Sequence, residues 1–277
     1  MRKKLDTPTP TLSKRGLLEP PAKGPAVLFY DIETTPALAW VWSAYDTNII
    51  DMHTGWRLLS FSYKWKGKAQ VDFARVYKLD DTGAVDDQFI AEHLHALFDR
   101  ADIIVAHNGD RFDRKKSNAR FAAHGLTQPA PYQTVDTLKM ARRNLSLMKN
   151  NLAEVAKFFG IEQGKVSHPG FEMWLGCMNF EAKWWKLMER YNRQDVKLLE
   201  KVYDKLLPFA AAPGQGGMPN LGVYADRFAC KICEHTKGEK RGFHYTNAGK
   251  YQTWRCHKCG SYSRFMRREP QSEGVMR

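Results

Sequence analysis

Apolar runs and polar clusters alternate along the chain in two periods, and they predict a series of short strands and amphipathic helices. AVLFYDIETT (26–35) opens with the run AVLFY, which predicts a buried strand. LLSFSYKW (58–65) and QVDFARVYK (70–78) are β-like and separated by the short turn KGKA, which predicts an antiparallel hairpin. DDQFIAEHLHALFDR (86–100) sets Phe89, Ile90, His93, Leu94 and Leu97 at helical spacing. ADIIVAHN (101–108) predicts a second short strand, and 113–124 a helix. TVDTLKMARR (134–143) starts extended and becomes helical. NLAEVAKFFG (151–160) is a short amphipathic helix with Gly160 as its stop. The segment 180–207, FEAKWWKLMERYNRQDVKLLEKVYDKLL, is strongly helical, with a break expected near Met188. This order predicts an α/β fold, a mixed sheet with helices packed on it.

The two ends differ from this middle. Residues 1–24 are rich in Pro, Lys, Ser and Thr without a sustained period, and predict a flexible basic arm. PFAAAPGQGGMPNLG (208–222) holds three Pro and four Gly, and reads as a linker or an ordered loop. The expected domains are therefore an α/β domain over 25–207, a linker over 208–222 and a small module over 223–277. That last module is too short for a substantial apolar core and needs a staple.

Composition narrows the class. Hydrophobic residues at 43% and charged residues at 26% suit a globular protein. No apolar run approaches the ~20 residues of a membrane span. The basic N-terminus has no apolar stretch behind it, so it is not a secretory signal. A soluble, cytoplasmic protein with no membrane partner is expected. The formal charge is +13. Residues 1–24 hold six Lys/Arg against two acids, and 222–277 hold twelve against five, so most of the excess sits in the ends. Basic flanks on a near-neutral core suit a polyanion, although they also aid solubility.

Three clusters carry candidate chemistry. Asp31 and Glu33 follow the AVLFY strand at i and i+2, so both project to one side. Like charges held close call for a cation, and hard divalent cations take oxygen ligands. An exposed D-x-E at a strand end is the plain alternative. HNGDRFD (107–113) follows the second strand, with Asp113 at the start of the next helix and Asp110 as its rival. Asn108 could bond a phosphate, a substrate group or the local turn, and Asn, Gly and Asp also serve as caps there. Tyr191 and Asp195 stand at i and i+4 on one helix face, where Tyr could equally pack into the core.

Together these three elements resemble the DEDD exonucleases, an RNase H-like group that includes proofreading domains of DNA polymerases. Phe29-Tyr-Asp31-Ile-Glu33-Thr matches the first motif. Asn108-Gly-Asp-Arg-Phe112-Asp113 matches the second in its N-x-x-x-F-D form, which favours Asp113 over Asp110. Tyr191-x-x-x-Asp195 matches the third. The other subclass carries His five residues before the last Asp, where this chain has Arg190, so the resemblance is to the Tyr subclass, as in family B polymerases. It covers roughly 25–207.

The resemblance implies an RNase H-like mixed sheet and a 3′→5′ exonuclease acting on single-stranded DNA. Two Mg²⁺ or Mn²⁺ ions, ~3.5–4 Å apart, would lie between Asp31, Glu33, Asp113 and Asp195 and activate water while stabilising the leaving 3′-oxygen. Tyr191 would orient the water, and Asn108 and Phe112 would bind substrate. Asp136, between the second and third motifs, would be structural. Polymerase motifs are absent, so the resemblance is to stand-alone phage and bacterial forms. RNA 3′ exonuclease or endonuclease activity at the same site, and a non-catalytic nucleic-acid-binding adaptor, remain alternatives.

The cysteines add a second centre. Cys230-Lys-Ile-Cys233 and Cys256-His-Lys-Cys259 are two C-x-x-C pairs around a 22-residue spacer of β-hairpin character, turning at Asn247-Ala-Gly249. This resembles a zinc ribbon holding one structural Zn²⁺, with His235, His244 and His257 as lower-ranked ligands and a redox dithiol as the alternative. Tyr245, Tyr251, Trp254, Tyr262 and Phe265 alternate with basic residues, so the module could contact nucleic acid, build its own small core or dock a replication or repair protein. Cys177 is left over as a small buried hydrophobe.

Overall fold

The AVLFY run forms the centre of a sheet because helices or strands cover it on every side. A computed structural model of the chain describes residues 19–22, 24–162, 169–210, 229–246 and 249–265. The expected basic arm and linker lie almost wholly outside the described residues, as do Asn247 and Ala248 of the expected turn.

Strand β1 (Val27–Thr34) leads into a small separate hairpin, β2 (Leu38–Trp40) and β3 (Asp51–Thr54). Strand β4 (Leu58–Trp65) is buried at every residue, and β5 (Asp72–Arg75) pairs with it antiparallel, as the hairpin pattern predicted. Helix α1 (Gln88–Asp99) buries Ile90, Ala91, Leu94, Leu97 and Phe98, its i, i+3/i+4 stripe. Strand β6 (Ile103–Ala106), helix α2 (Asp113–Ala123) and strand β7 (Gln133–Asp136) follow. The sheet order is β5-β4-β1-β6-β7, with β1 antiparallel to β4 and parallel to β6. The sheet is thus mixed and flanked by helices, as expected. Strand β6 and the first half of β1 read as continuous apolar runs because neither face meets water, whereas β4 buries Ser60, Ser62 and Lys64 between its apolar residues.

The chain clusters into two units. Residues Ala26–Asp136 and Glu162–Glu200 belong to the first, with helix α5 (Phe171–Met178) and most of helix α6 (Ala182–Ala210). Its core includes Tyr30, Phe61, Trp65, Leu94, Phe98 and Trp185. The second holds Thr137–Ile161 and Lys201–Arg277, with helices α3 (Thr137–Asn144) and α4 (Leu152–Phe158) and the strands β8 (Gly238–Thr246), β9 (Gly249–Cys256) and β10 (Tyr262–Arg264). Gly160, at φ +64°, follows α4 in the left-handed conformation that ends helices.

One expectation is corrected. Helix α6 runs unbroken through Met188, which is fully buried. Trp185, Met188, Asn192, Val196 and Leu199 are all buried at steps of three and four, so one stripe is sustained across the expected break.

A buried ion cluster fixes the helix that enters the site. Asp87, just before α1, accepts hydrogen bonds from Arg120 Nε at 2.6 Å and Nη2 at 2.7 Å, and from the Leu58 amide at 2.8 Å. His124 Nε2 lies 2.8 Å from Asp87 Oδ1, the oxygen that Arg120 Nη2 also reaches. The cluster ties α1, α2 and β4 together with its charges paired, the condition under which burial of charge is tolerated.

Candidate active site

Three elements bring the four acidic candidates to the site. Asp31 and Glu33 sit on β1, opposite Ser62 and Ser60 of β4, with side chains on one side of the strand. Asp113 is the first residue of α2 and is buried. The Ile32 amide, between the first two acids, donates to Asp113 Oδ1 at 3.2 Å, so the start of α2 is fastened to β1 at the site. Asp195 comes from α6, one turn after Tyr191, whose hydroxyl hydrogen-bonds its carboxylate.

Burial and mutual repulsion govern these groups. Burial, then Glu33, Asp113 and Asp195, hold the Asp31 carboxyl well above the usual carboxylate range. Burial and the neighbouring carboxylates push Glu33 up to about 8, with the Trp174 side chain hydrogen-bonding it in opposition. Burial raises Asp113 to about 7 and Asp195 to about 6. The Tyr191 phenol is pushed up by burial and by Asp195, Glu33 and Asp31, so it stays protonated and can donate. Burial leads the shift in all four carboxyls, and repulsion within the set adds to it at Asp31 and Glu33; a cation among them would offset both.

The turn before α2 explains the second cluster. Asn108 has φ +64°, a left-handed conformation that Asn tolerates. A Cβ on Gly109 would come within 2.5 Å of Ala106 Cβ, so glycine is required there. Asp136, ending β7, accepts the Asn108 amide at 2.9 Å and the Asp110 amide at 3.3 Å, which gives it a structural part. Asp110 itself pairs with Arg114 at 3.7 Å. Phe112 caps α2 and is partly exposed.

Beside Glu33 opens a cleft of about 540 Å³, lined by Thr34, Thr35, Trp56, Lys116, Phe171 and Trp174 among others. Lys116 Nζ donates to Thr34 Oγ1 at 3.1 Å and lies over the rings of Trp56 and Phe112, at 4.2 and 4.7 Å from their centroids. Trp174 meets Tyr191 edge-on at 6.5 Å. The cleft therefore offers aromatic faces and one cation next to the acids.

Sequence reasoning missed Asn192. It is fully buried, and its Nδ2 donates to Asp31 Oδ2 at 2.5 Å and to the Asp31 carbonyl at 3.3 Å. The available signal was a polar residue in register with the apolar stripe of α6. Trp174 and Trp56 carried no such signal, because helix α5 and the segment around Trp56 were not assigned.

Residues 28–207 match the family model RNase_H_2, described as RNase_H superfamily. The chain belongs to the RNase H superfamily. The match takes in every acidic candidate and stops short of the two C-x-x-C pairs. Comparison with curated protein sequences finds no match. Among solved structures, this RNase H-superfamily chain is similar to the family B DNA polymerase from the hyperthermophilic archaeon Pyrobaculum calidifontis, with a TM-score of 0.50 and 15% identity. The likeness covers 83% of this chain and 32% of that one, and at this identity it speaks for the fold alone.

The cysteine cluster lies within the second unit. Cys230, Cys233, Cys256 and Cys259 bring their Sγ atoms within 4.8 Å of one another. Among the described residues it is these thiols, not the carboxylates, that meet so tight a spacing. Cys230–Cys259 and Cys233–Cys256 are each 3.7 Å apart, too far for disulfides. A tetrahedron with metal–sulfur bonds of ~2.3 Å has edges of about 3.8 Å. The Ile232 and Lys258 amides each reach the sulfur two residues before them at 3.4 Å, so the two C-x-x-C turns share one geometry. With three strands beside it, this set could hold a zinc ion and fits a zinc ribbon. No helix among the described residues is long and apolar enough to cross a membrane.

Proposed function

We propose that this chain is a metal-dependent 3′→5′ exonuclease of the DEDD type, Tyr subclass, hydrolysing phosphodiester bonds of single-stranded DNA. The observation that carries this reading is the convergence of Asp31, Glu33, Asp113 and Asp195, from β1, α2 and α6, with carboxyls held above their ordinary range by burial. Such a set is satisfied by divalent cations.

In this reading the four carboxylates hold two Mg²⁺ or Mn²⁺ ions. Such a pair would make water a better nucleophile at neutral pH and neutralise charge on the leaving 3′-oxygen. Tyr191, protonated and bonded to Asp195, orients the attacking water through its hydroxyl. Asn192 holds Asp31 in place. Trp56, Phe112 and Trp174 offer faces for bases, and Lys116 a charge for a phosphate. Asn108 shapes the approach to Asp113. Residues 25–207 form the exonuclease domain, 208–222 a linker and 223–277 a zinc ribbon with one structural Zn²⁺. The ribbon serves as a contact for nucleic acid or for a replication or repair protein.

Time-resolved digestion of end-labelled DNA and RNA with Mg²⁺, Mn²⁺ or EDTA tests polarity, sugar preference and metal dependence together. Nucleoside 5′-monophosphates should leave the 3′ end of single-stranded DNA, and EDTA should stop the reaction. Asp31→Ala and Asp195→Ala should each abolish activity while Asp110→Ala retains it. Full activity in either of the first two would sink the assignment.

A further inference from the structure

The β2–β3 hairpin carries the largest unexplained surface among the described residues. Leu38, Trp40, Val41, Trp42, Tyr45, Ile49, Ile50 and Met52 are all exposed, with Trp42 at 80% and Tyr45 at 100%. An isolated two-stranded hairpin is marginal in water, and three strands or a covering element are normally needed. Here β2 pairs only with β3, in a sheet separate from the central one. Its tip is nonetheless ordered. Ser43 Oγ accepts the Tyr45 and Asp46 amides at 3.2 and 3.0 Å, Asp46 Oδ1 accepts the Asn48 amide at 3.3 Å, and the Ile50 amide bonds back to the Trp40 carbonyl at 2.9 Å. The apolar side chains are therefore displayed on a formed scaffold.

We propose that this hairpin is a self-association surface, and that its occupant is the same hairpin of a second copy of the chain. Three observations favour that occupant. The first is area. Aromatic rings bury ~150–250 Å² each, so the three rings at their exposures present on the order of 500 Å², while Met52, opposite Ala39, lies on the other face from Leu38 and Trp40, so the aliphatic and thioether chains divide between the two faces. That approaches one partner's share of the smaller stable interfaces, ~600 Å² a side. The second is composition. Trp, Tyr and Met without Lys or Glu is the make-up of an interface core, and homodimer interfaces are the more apolar kind.

The third is charge. Residues 24–56 form the longest stretch of the chain with neither Lys nor Arg, in a molecule of formal charge +13. A two-fold contact sets each patch against itself, and this one carries none of the chain's Lys or Arg; its two acids, Asp46 and Asp51, bring only a small repulsion that salt screens. The same deficit argues against a phosphate backbone, since strand-binding surfaces join aromatics to cations and this one carries Asp46 and Asp51 instead. Ala37 and Trp56, at the roots of the two strands, line the cleft beside Glu33, so the seam of such a dimer lies at the mouth of both clefts. The inference stands whether or not the exonuclease reading holds.

Sedimentation velocity of the full chain over a range of concentrations, in high salt, tests it. The wild type should sediment at twice 31.9 kDa and dissociate on dilution. Trp42→Glu and Trp42→Lys should each be monomeric with unchanged circular dichroism and melting temperature. Mixed in equal amounts and moved to low salt, they should recover dimer, because the opposite charges then attract across the seam. Tyr45→Ser provides a milder variant, expected to weaken the dimer at least tenfold. A wild type that stays monomeric at every concentration, or a dimer indifferent to all three substitutions, overturns the proposal. So does a monomer whose Trp42→Glu form loses affinity for a single-stranded oligonucleotide, which would assign the hairpin to the strand instead.

Discussion

Asn192 shows how one neutral side chain can decide the state of a charged neighbour. Its Nδ2 is the one side-chain hydrogen bond that counters the rise of the Asp31 carboxyl, against burial and three other acids. A bond to a charged group contributes ~1.5–3 kcal/mol, which corresponds to roughly ten- to a hundredfold in rate if Asp31 must be ionised and held still. Asn192→Leu should therefore lower kcat by that factor with little change in KM, and raise the pH at which activity appears. A pH–rate profile measured beside the wild type checks this, and an unshifted profile would reduce Asn192 to a packing residue. The same scale separates Asp113 from Asp110. Sequence spacing left both in play until the family motif chose. In the structure Asp113 takes the Ile32 amide, whereas Asp110 turns to Arg114.

At the scale of elements, the Asp87 cluster holds the C-terminal part of α2 through Arg120 and His124, and so anchors the helix whose first residue is Asp113. Asp87→Ala would leave Arg120 buried without its carboxylate, which costs about 3–5 kcal/mol and should appear as a large drop in the denaturant midpoint. A change below ~1 kcal/mol would show that water reaches the site and the cluster does not fasten the helix. The ribbon is held differently, by its four thiols. Cys256→Ser with Cys259→Ser should remove about one zinc per chain, measured by metal analysis, and melt the ribbon's strands while leaving cleavage of a short oligonucleotide intact. Legibility in the sequence followed burial. Strands β1, β4 and β6 could be read because hydrophobic patterning encodes which residues leave water, and these are enclosed. The β2–β3 hairpin was missed for the opposite reason, since its apolar residues point into solvent and match no burial pattern. Helix α5 is only eight residues long and contains Gly176, whose place is fixed by the ring of Trp184 and not by helix propensity. The site motifs were legible as spacings, but Trp174 becomes a neighbour of Glu33 only through tertiary packing.

For the whole molecule, the clustered acids make stability depend on pH and on cations together. Glu33, Asp113 and Asp195 stand at about 8, 7 and 6 in the folded chain, above the ~4 they take when unfolded. Between those values the folded state binds more protons than the unfolded one, so stability falls as pH rises. Below about pH 4 both states are protonated and these acids cost nothing extra. Above about pH 8 the full cost of burying these charges is present. In EDTA the melting temperature should therefore decline from pH 5 to pH 8. Millimolar Mg²⁺ or Mn²⁺ should restore it, more at pH 8 than at pH 5, because cations replace protons at the acids and binding the native state stabilises it by mass action. Calorimetry in buffers of different ionisation enthalpy should register net proton release on Mn²⁺ binding at pH 6–7. Asp31→Asn should flatten the decline and weaken the cation effect, since it removes one charge from the ring without removing its volume. A melting temperature that rises from pH 5 to pH 8 in EDTA, or that ignores divalent ions at pH 8, would mean that the four carboxylates do not share one cation site.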